Sequence, residues 1–231
     1  MNLLMVMREV SPLLARGAVV TVQLAGLGLS IAIFLGLFTC LAGMSKFLVP
    51  RILAKSYIWL IRGTPLLVQI FFVHFGVPQL IQAMGFNFRF SPFTAGTITL
   101  ALNAGAYIAE IFRGGIQAID HGQMEAARSL GFSHYRAMFK IILPQAVRVA
   151  APSLVNQFII SLKDTSIISV IGVREIVREA NIYVGRTFQS FATWTIVGLF
   201  YLVIIAALTQ ISIYVEKRLD YGQKSRRQGS A

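Results

Sequence analysis

The sequence predicts an all-α protein that crosses a membrane five times. Three observations carry that expectation. Of its 231 residues, 56% are hydrophobic and only 13% are charged, against the roughly 25% charged of a soluble domain. The apolar residues gather into five runs, each long enough for the roughly 20 residues that a transmembrane helix needs. Lys and Arg are alternately dense and sparse between those runs, as they are in loops on the two faces of a membrane.

The first run covers about residues 17–44 and can cross at a tilt. Residues 1–16 contain Arg8, Glu9 and Pro12. They lack the basic start, short apolar core and small-residue cleavage site of a signal peptide, so they are expected to be retained outside the span. Ile52–Ile61 is expected at the membrane interface, with Tyr57 and Trp59 as anchors. Gly63-Thr64-Pro65 then opens the second run, about 64–84. Thr64 is read there as the N-cap and Pro65 as the first helical residue; a hinge is the other reading. The third, fourth and fifth runs cover about 93–112, 151–173 and 191–215. The 113–150 segment is far too long for a helix–helix connection of about 2–8 residues. The chain is read as one transmembrane domain over 1–231.

The net charge is +12, which in a soluble protein would suggest nucleic acid. Its distribution argues otherwise. Segments 45–62, 113–150 and the tail after Val215 hold fourteen Lys and Arg; the other connections and the N-terminal segment hold six. The positive-inside rule places the N-terminus outside and the C-terminus in the cytoplasm, and no nucleic-acid partner is expected. The single cysteine, Cys40, is read as a packed thiol. The histidines, His74, His121 and His134, have no metal-ligand spacing, and no G-x-x-x-x-G-K-[ST] phosphate loop occurs. No catalytic residue, metal or cofactor is expected in this chain.

The 113–150 loop has a helical pattern of its own. A run that begins at Glu125-Ala126-Ala127 stops at Gly131, a helix-ending residue type. Glu125 is read in the first turn, at the positive end of the helix. A second run, His134–Leu143, meets Pro144 and is expected to break there. A solvated amphipathic helix lying on the membrane would satisfy the pattern, and so would a docking element.

The spacing E-A-A, three residues, G, nine residues, I-x-L-P occurs here as Glu125-Ala126-Ala127, Gly131 and Ile141-Ile142-Leu143-Pro144. It resembles the cytoplasmic loop signature of permease subunits in ABC importers. Three further segments resemble the polar amino-acid branch of that family: IRGTPLLVQIFF at 61–72, NAGAYIAEIFRGG at 103–115 and NQFIISLKDTSIISVIGV at 156–173. The last is similar to glutamine-type permeases. The resemblance implies that the loop helix docks on a separate ATPase subunit that holds ATP and Mg. It also implies a second permease subunit (a copy or a paralogue) and an extracytoplasmic amino-acid-binding protein. The setting would be the cytoplasmic (inner) membrane of a prokaryote, and the cargo glutamine or another polar amino acid. An ion-gradient-driven carrier or channel is the alternative, and it needs no such loop.

Polar residues inside the spans mark candidate faces of a path. Asn103, Tyr107 and Glu110 stand at i, i+4 and i+7, on one face of a helix. Ser153, Asn156, Gln157, Lys163 and Asp164 fall within roughly a third of the fourth helix's circumference. Lys163 and Asp164 stand out, since each ionisable group costs roughly 2.5–3.5 kcal/mol at mid-span. Two readings remain for them: a polar clamp between helices or subunits, or contact with substrate along its path. For Asn103, Tyr107 and Asn156 the alternatives are helix-to-helix hydrogen bonds or the same path. Glu110 is placed near the cytoplasmic loop, and Gln69 and His74 are left open.

Overall fold

The computed structural model describes the backbone of residues 3–228 and the side chains of residues 3–211, 213 and 214. All regular structure among them is helical. Five stretches are long and apolar enough to cross a membrane: Leu3–Gly43, Leu66–Ala83, Pro92–Gln117, His134–Ile171 and Ser190–Ile211.

Helix α1, Leu3–Gly43, has 41 residues and so runs about 60 Å, twice the thickness of a bilayer's hydrocarbon core. The expected first span is only its later part. Residues 3–16 are helical because Val6, Val10 and Leu14 begin the same buried stripe that continues through Thr21, Leu24, Gly28, Ala32 and Gly36. Arg8, Glu9 and Pro12 are exposed; they interrupt the hydropathy and leave the stripe intact. The early stripe packs on α9 (Ile176–Thr187) and α10 (Ser190–Gln228) through Ile176, Ala180, Ala192 and Ile196. The Tyr183 hydroxyl donates to Glu9 Oε2 at 2.7 Å across that joint.

Helix α2, Leu48–Arg62, buries only Ala54. The Tyr57 hydroxyl reaches inward and donates to the Leu102 carbonyl, while Trp59 is exposed. The second span is α3 (Leu66–Phe71), a π turn (Phe72–Gly76) and α4 (Val77–Ala83). Thr64 does not cap it, contrary to expectation: Pro65 occupies the N-cap position, and the Thr64 hydroxyl donates back to the Leu60 carbonyl at 2.9 Å. The preceding helix end has claimed that side chain.

Helix α5, Pro92–Gln117, lies between α1 and α8 (Leu143–Ile168). Its small buried residues, among them Ala101, Ala104 and Ala109, let both neighbours approach. Between α5 and α8 come α6 (His121–Ser129), α7 (His134–Ala137) and a second π turn (Met138–Ile142). After α8, a 3₁₀ turn and Gly172 lead to α9. The basic tail residues Lys217, Arg218, Lys224, Arg226 and Arg227 lie outside the described side chains.

Candidate coupling loop and substrate path

The loop helix α6 starts earlier than its sequence suggested. Asp120 is the N-cap, its Oδ1 accepting from the Gly122 N–H at 2.6 Å. Glu125 is therefore in the second turn and is not in contact range of the helix's positive end. Glu125 and Ala126 are exposed, and Ala127 is buried. Gly131 has φ +83°, the left-handed conformation that glycine adopts without a Cβ penalty. The Gly131 N–H donates to the Arg128 carbonyl (3.0 Å) and the Phe132 N–H to the Ala127 carbonyl (3.1 Å). These two bonds form a Schellman motif that satisfies the last carbonyls of α6. Ser133 then caps α7, accepting from the Arg136 N–H.

Pro144 does not break the second helix, contrary to expectation. The Leu143 N–H donates to the Met138 carbonyl, one residue further back than in an α-helix. This wider π turn makes room for the ring of Pro144, whose clash with the carbonyl four residues earlier would otherwise end the helix. The same arrangement precedes Pro78: the Val77 N–H donates to the Phe72 carbonyl. Ile142 is buried, and Ile141 and Leu143 pack around it against Phe112, Ile116 and Ala146. At Gly115 a Cβ would stand 2.8 Å from the Ala146 carbonyl oxygen, so α5 and α8 touch backbone to backbone just inside the loop.

The third-span face divides. Asn103 is buried, and its Nδ2 donates to Gln69 Oε1 at 3.0 Å. Gln69 Nε2 donates in turn to the Ile61 carbonyl (2.7 Å), the Thr64 carbonyl (3.0 Å) and Thr64 Oγ1 (2.9 Å). This network locks the α2–α3 joint to α5. Tyr107 is half-exposed under the Arg62 guanidinium, 5.2 Å from its ring centroid. Glu110 takes a bidentate pair from Arg113 (2.7 and 3.0 Å) and lies 3.5 Å from Arg62. The i,i+3 spacing of Glu110 and Arg113 was a legible signal for that pair; the part played by Gln69 had none in the local sequence.

The fourth-span face is uncommitted. Gln157 is buried, Asp164 is half-buried, and Ser153, Asn156 and Lys163 are exposed. No hydrogen bond or ion pair holds the side chains of Asn156, Gln157, Lys163 or Asp164 among the described residues. Among the described residues, neither Lys163 nor Asp164 is held to a second helix by a hydrogen bond or ion pair. Asp164 also lies four residues before Ile168, the end of α8, about 6 Å along the axis.

Residues 28–221 match the model of the family described as "binding-protein-dependent transport system inner membrane component". The chain belongs to this family. The permease is 40% identical to the glutamine transport system permease protein of Escherichia coli K12 over 209 residues, 90% of this chain and 93% of that one. It is 36% identical to the arginine transport system permease protein of Bacillus subtilis 168, over 90% of this chain and 93% of the relative. A solved amino acid ABC transporter, crystallised with histidines, superposes with a TM-score of 0.85 at 39% identity, over 94% of this permease and 99% of that chain. A methionine ABC transporter shares the fold, with a TM-score of 0.73. The loop signature and the resemblance drawn from it thus agree with the family, and an ion-gradient carrier is set aside.

Proposed function

We propose that this permease imports a polar amino acid, glutamine or a close relative, across the cytoplasmic membrane of a prokaryote. ATP and Mg belong to separate ATPase subunits. An extracytoplasmic amino-acid-binding protein delivers the cargo, and a second permease subunit completes the membrane part. The N-terminus is outside and the C-terminus in the cytoplasm. One observation carries the coupling role: Glu125 and Ala126 are displayed on an exposed helix, and after the Gly131 turn the backbone is helical from His134 through the fourth span. Glu125, Ala126, Ala127 and Gly131 form the docking end, and Ile141, Leu143 and Pro144 the transmitting end. The amino-acid cargo is supported by the glutamine and arginine permeases among the relatives.

Asn156, Gln157, Lys163 and Asp164 are assigned to the path because their polar groups make no hydrogen bond or ion pair among the described residues. Asn103 and Tyr107 shape its wall from α5, where Asn103 is tied to the α2–α3 joint through Gln69. The test is ATP-driven uptake of labelled L-glutamine and L-arginine by the assembled transporter in proteoliposomes, with ionophores collapsing every ion gradient. Uptake should persist with ionophores and stop without ATP. Gradient-driven uptake that ignores ATP, or purification of the permease with no ATPase chain attached, would refute the proposal.

A further inference from the structure

At the end of the bundle opposite α6, the second half of the second span and residues 85–91 enclose a cavity of about 250 Å³. His74, Gln79, Gln82 and Arg89 supply its polar wall, and Phe75 and Phe90 its apolar one. The sequence explains the grouping. His74 and Gln82 are two turns apart on one helix face, and Arg89 and Phe90 fold back from the connection to α5. Gln82 pins that connection by donating from Nε2 to the Phe88 carbonyl at 3.0 Å.

The polar groups of this wall are not spent on the fold. Arg89 and Gln79 make no side-chain hydrogen bond or ion pair among the described residues. Gln82 keeps its Oε1 free. His74 Nδ1 is buried with no partner, a standing cost to the native state. Half a turn of the ring would exchange that nitrogen with a carbon and release it. His74 also sits in the π turn, a helix irregularity common at functional sites.

We propose that this cavity binds the carboxylate of a small zwitterionic solute, an amino acid held at the mouth of the path. Arg89 offers the planar fork of donors that matches a carboxylate. Gln79 and Gln82 offer amide oxygens to the ammonium. Phe90, which is partly buried, covers one side of the pair, and the water it keeps out strengthens the contact. The volume suits a solute smaller than the drug-sized ligands of larger pockets. The identity of the solute rests on the amino-acid reading above; recognition of a carboxylate rests on the cavity alone.

The full-length permease in nanodiscs, without binding protein, is titrated with labelled L-glutamine and, separately, L-arginine. Arg89→Gln is the main variant, since Arg89 is exposed on a connection and its loss leaves the helices intact. Binding should weaken roughly 10- to 100-fold in Arg89→Gln and less in Arg89→Lys. L-Glutaminamide, which lacks the carboxylate, should fail to compete. Unchanged binding in Arg89→Gln, or competition by the amide, overturns the site while wild-type ATP-driven uptake keeps the amino-acid reading intact. Absence of binding of both probes to wild type also overturns the site, and the uptake assay then judges that reading separately. Weakened docking of the binding protein with normal amino-acid binding would give Arg89 to a carboxylate of that partner instead, and would overturn the site as well.

Discussion

Glu175 offers a quantitative test of the joint that holds the start of α1. It is fully buried and caps α9, its Oε1 accepting from the Arg178 N–H at 2.7 Å. The Tyr201 hydroxyl is 3.4 Å from Oε2, the Ile176 N–H faces Thr21 of α1, and Glu179 adds a second carboxylate. The neighbouring cation Arg174 is committed to Glu179 at 2.7 Å. Burial therefore pushes the Glu175 carboxyl up from 4.5 to about 7, against the pull of the capping N–H groups. The folded-state pKa is raised, so this group's contribution to stability is complete below about pH 4.5 and is lost as pH rises through about 7. The full span of that shift is about 3 kcal/mol, or several degrees of melting temperature for a chain of this size. Glu175→Gln keeps an acceptor for α9 and removes the titration. Melting in detergent should be measured from pH 5 to 8 for both proteins, so that the histidines common to both cancel in the difference. The wild type should lose stability relative to Glu175→Gln as pH rises. A flat difference, or one that favours the wild type at high pH, would refute the account of an uncompensated buried carboxyl.

Three further outcomes test the functional assignments. Gly131→Val should destabilise the loop turn by at least about 1–2 kcal/mol; since a Cβ there meets nothing within 4 Å, the cost is one of backbone conformation. Gly131→Asn should be milder, and co-purification with the ATPase plus substrate-stimulated hydrolysis reads both; normal stimulation in Gly131→Val counts against the loop's role. Asp164→Asn should lower uptake per assembled complex in proteoliposomes while assembly holds, and poor assembly with normal uptake per complex would remove it from the path. In a Cys40-free variant, Gly122→Cys should resist a membrane-impermeant thiol reagent in intact cells and Arg178→Cys should react; labelling at position 122 would invert the proposed topology.

The five apolar stretches were legible because hydropathy needs only composition along the chain. Residues 3–16 were not, because their helix is specified by Val6, Val10 and Leu14 packing on α9 and α10, partners more than 160 residues away. The Gly131 turn was legible because a left-handed residue leaves a local signature. The start of α6 was within reach too, since Asp120 two residues before Gly122 is a cap written in the sequence. The Gln69–Asn103 bond was not, because the two residues are 34 apart and each alone is only a polar residue in an apolar run. The polar face of α8 was legible as a set of positions, because a helical period needs only spacing, whereas the end of α8 at Ile168 was not, because hydropathy continues to Val173.

Pro144, which the sequence reads as an interruption, and Pro78 each follow a π turn with one residue between, and this bears on coupling. A proline that ended the helix at Pro144 would leave a loose joint between the docking helix and the membrane. The wider turn over Met138–Ile142 admits the ring and keeps the backbone helical from His134 into α8. Leu143 and Asp164 are then 21 residues apart in one helix, about 32 Å along its axis. The base of that helix is fixed sideways by Ile142 against Phe112 and Ile116 and by the Ala146 carbonyl against Gly115. At Pro144 the backbone stays helical, and Pro152 lies further along inside α8. A displacement of α8 along α5 would carry Gln157, Lys163 and Asp164 with it. That is the mechanical requirement for a docking event on one side of the membrane to change the exposure of polar groups near the other.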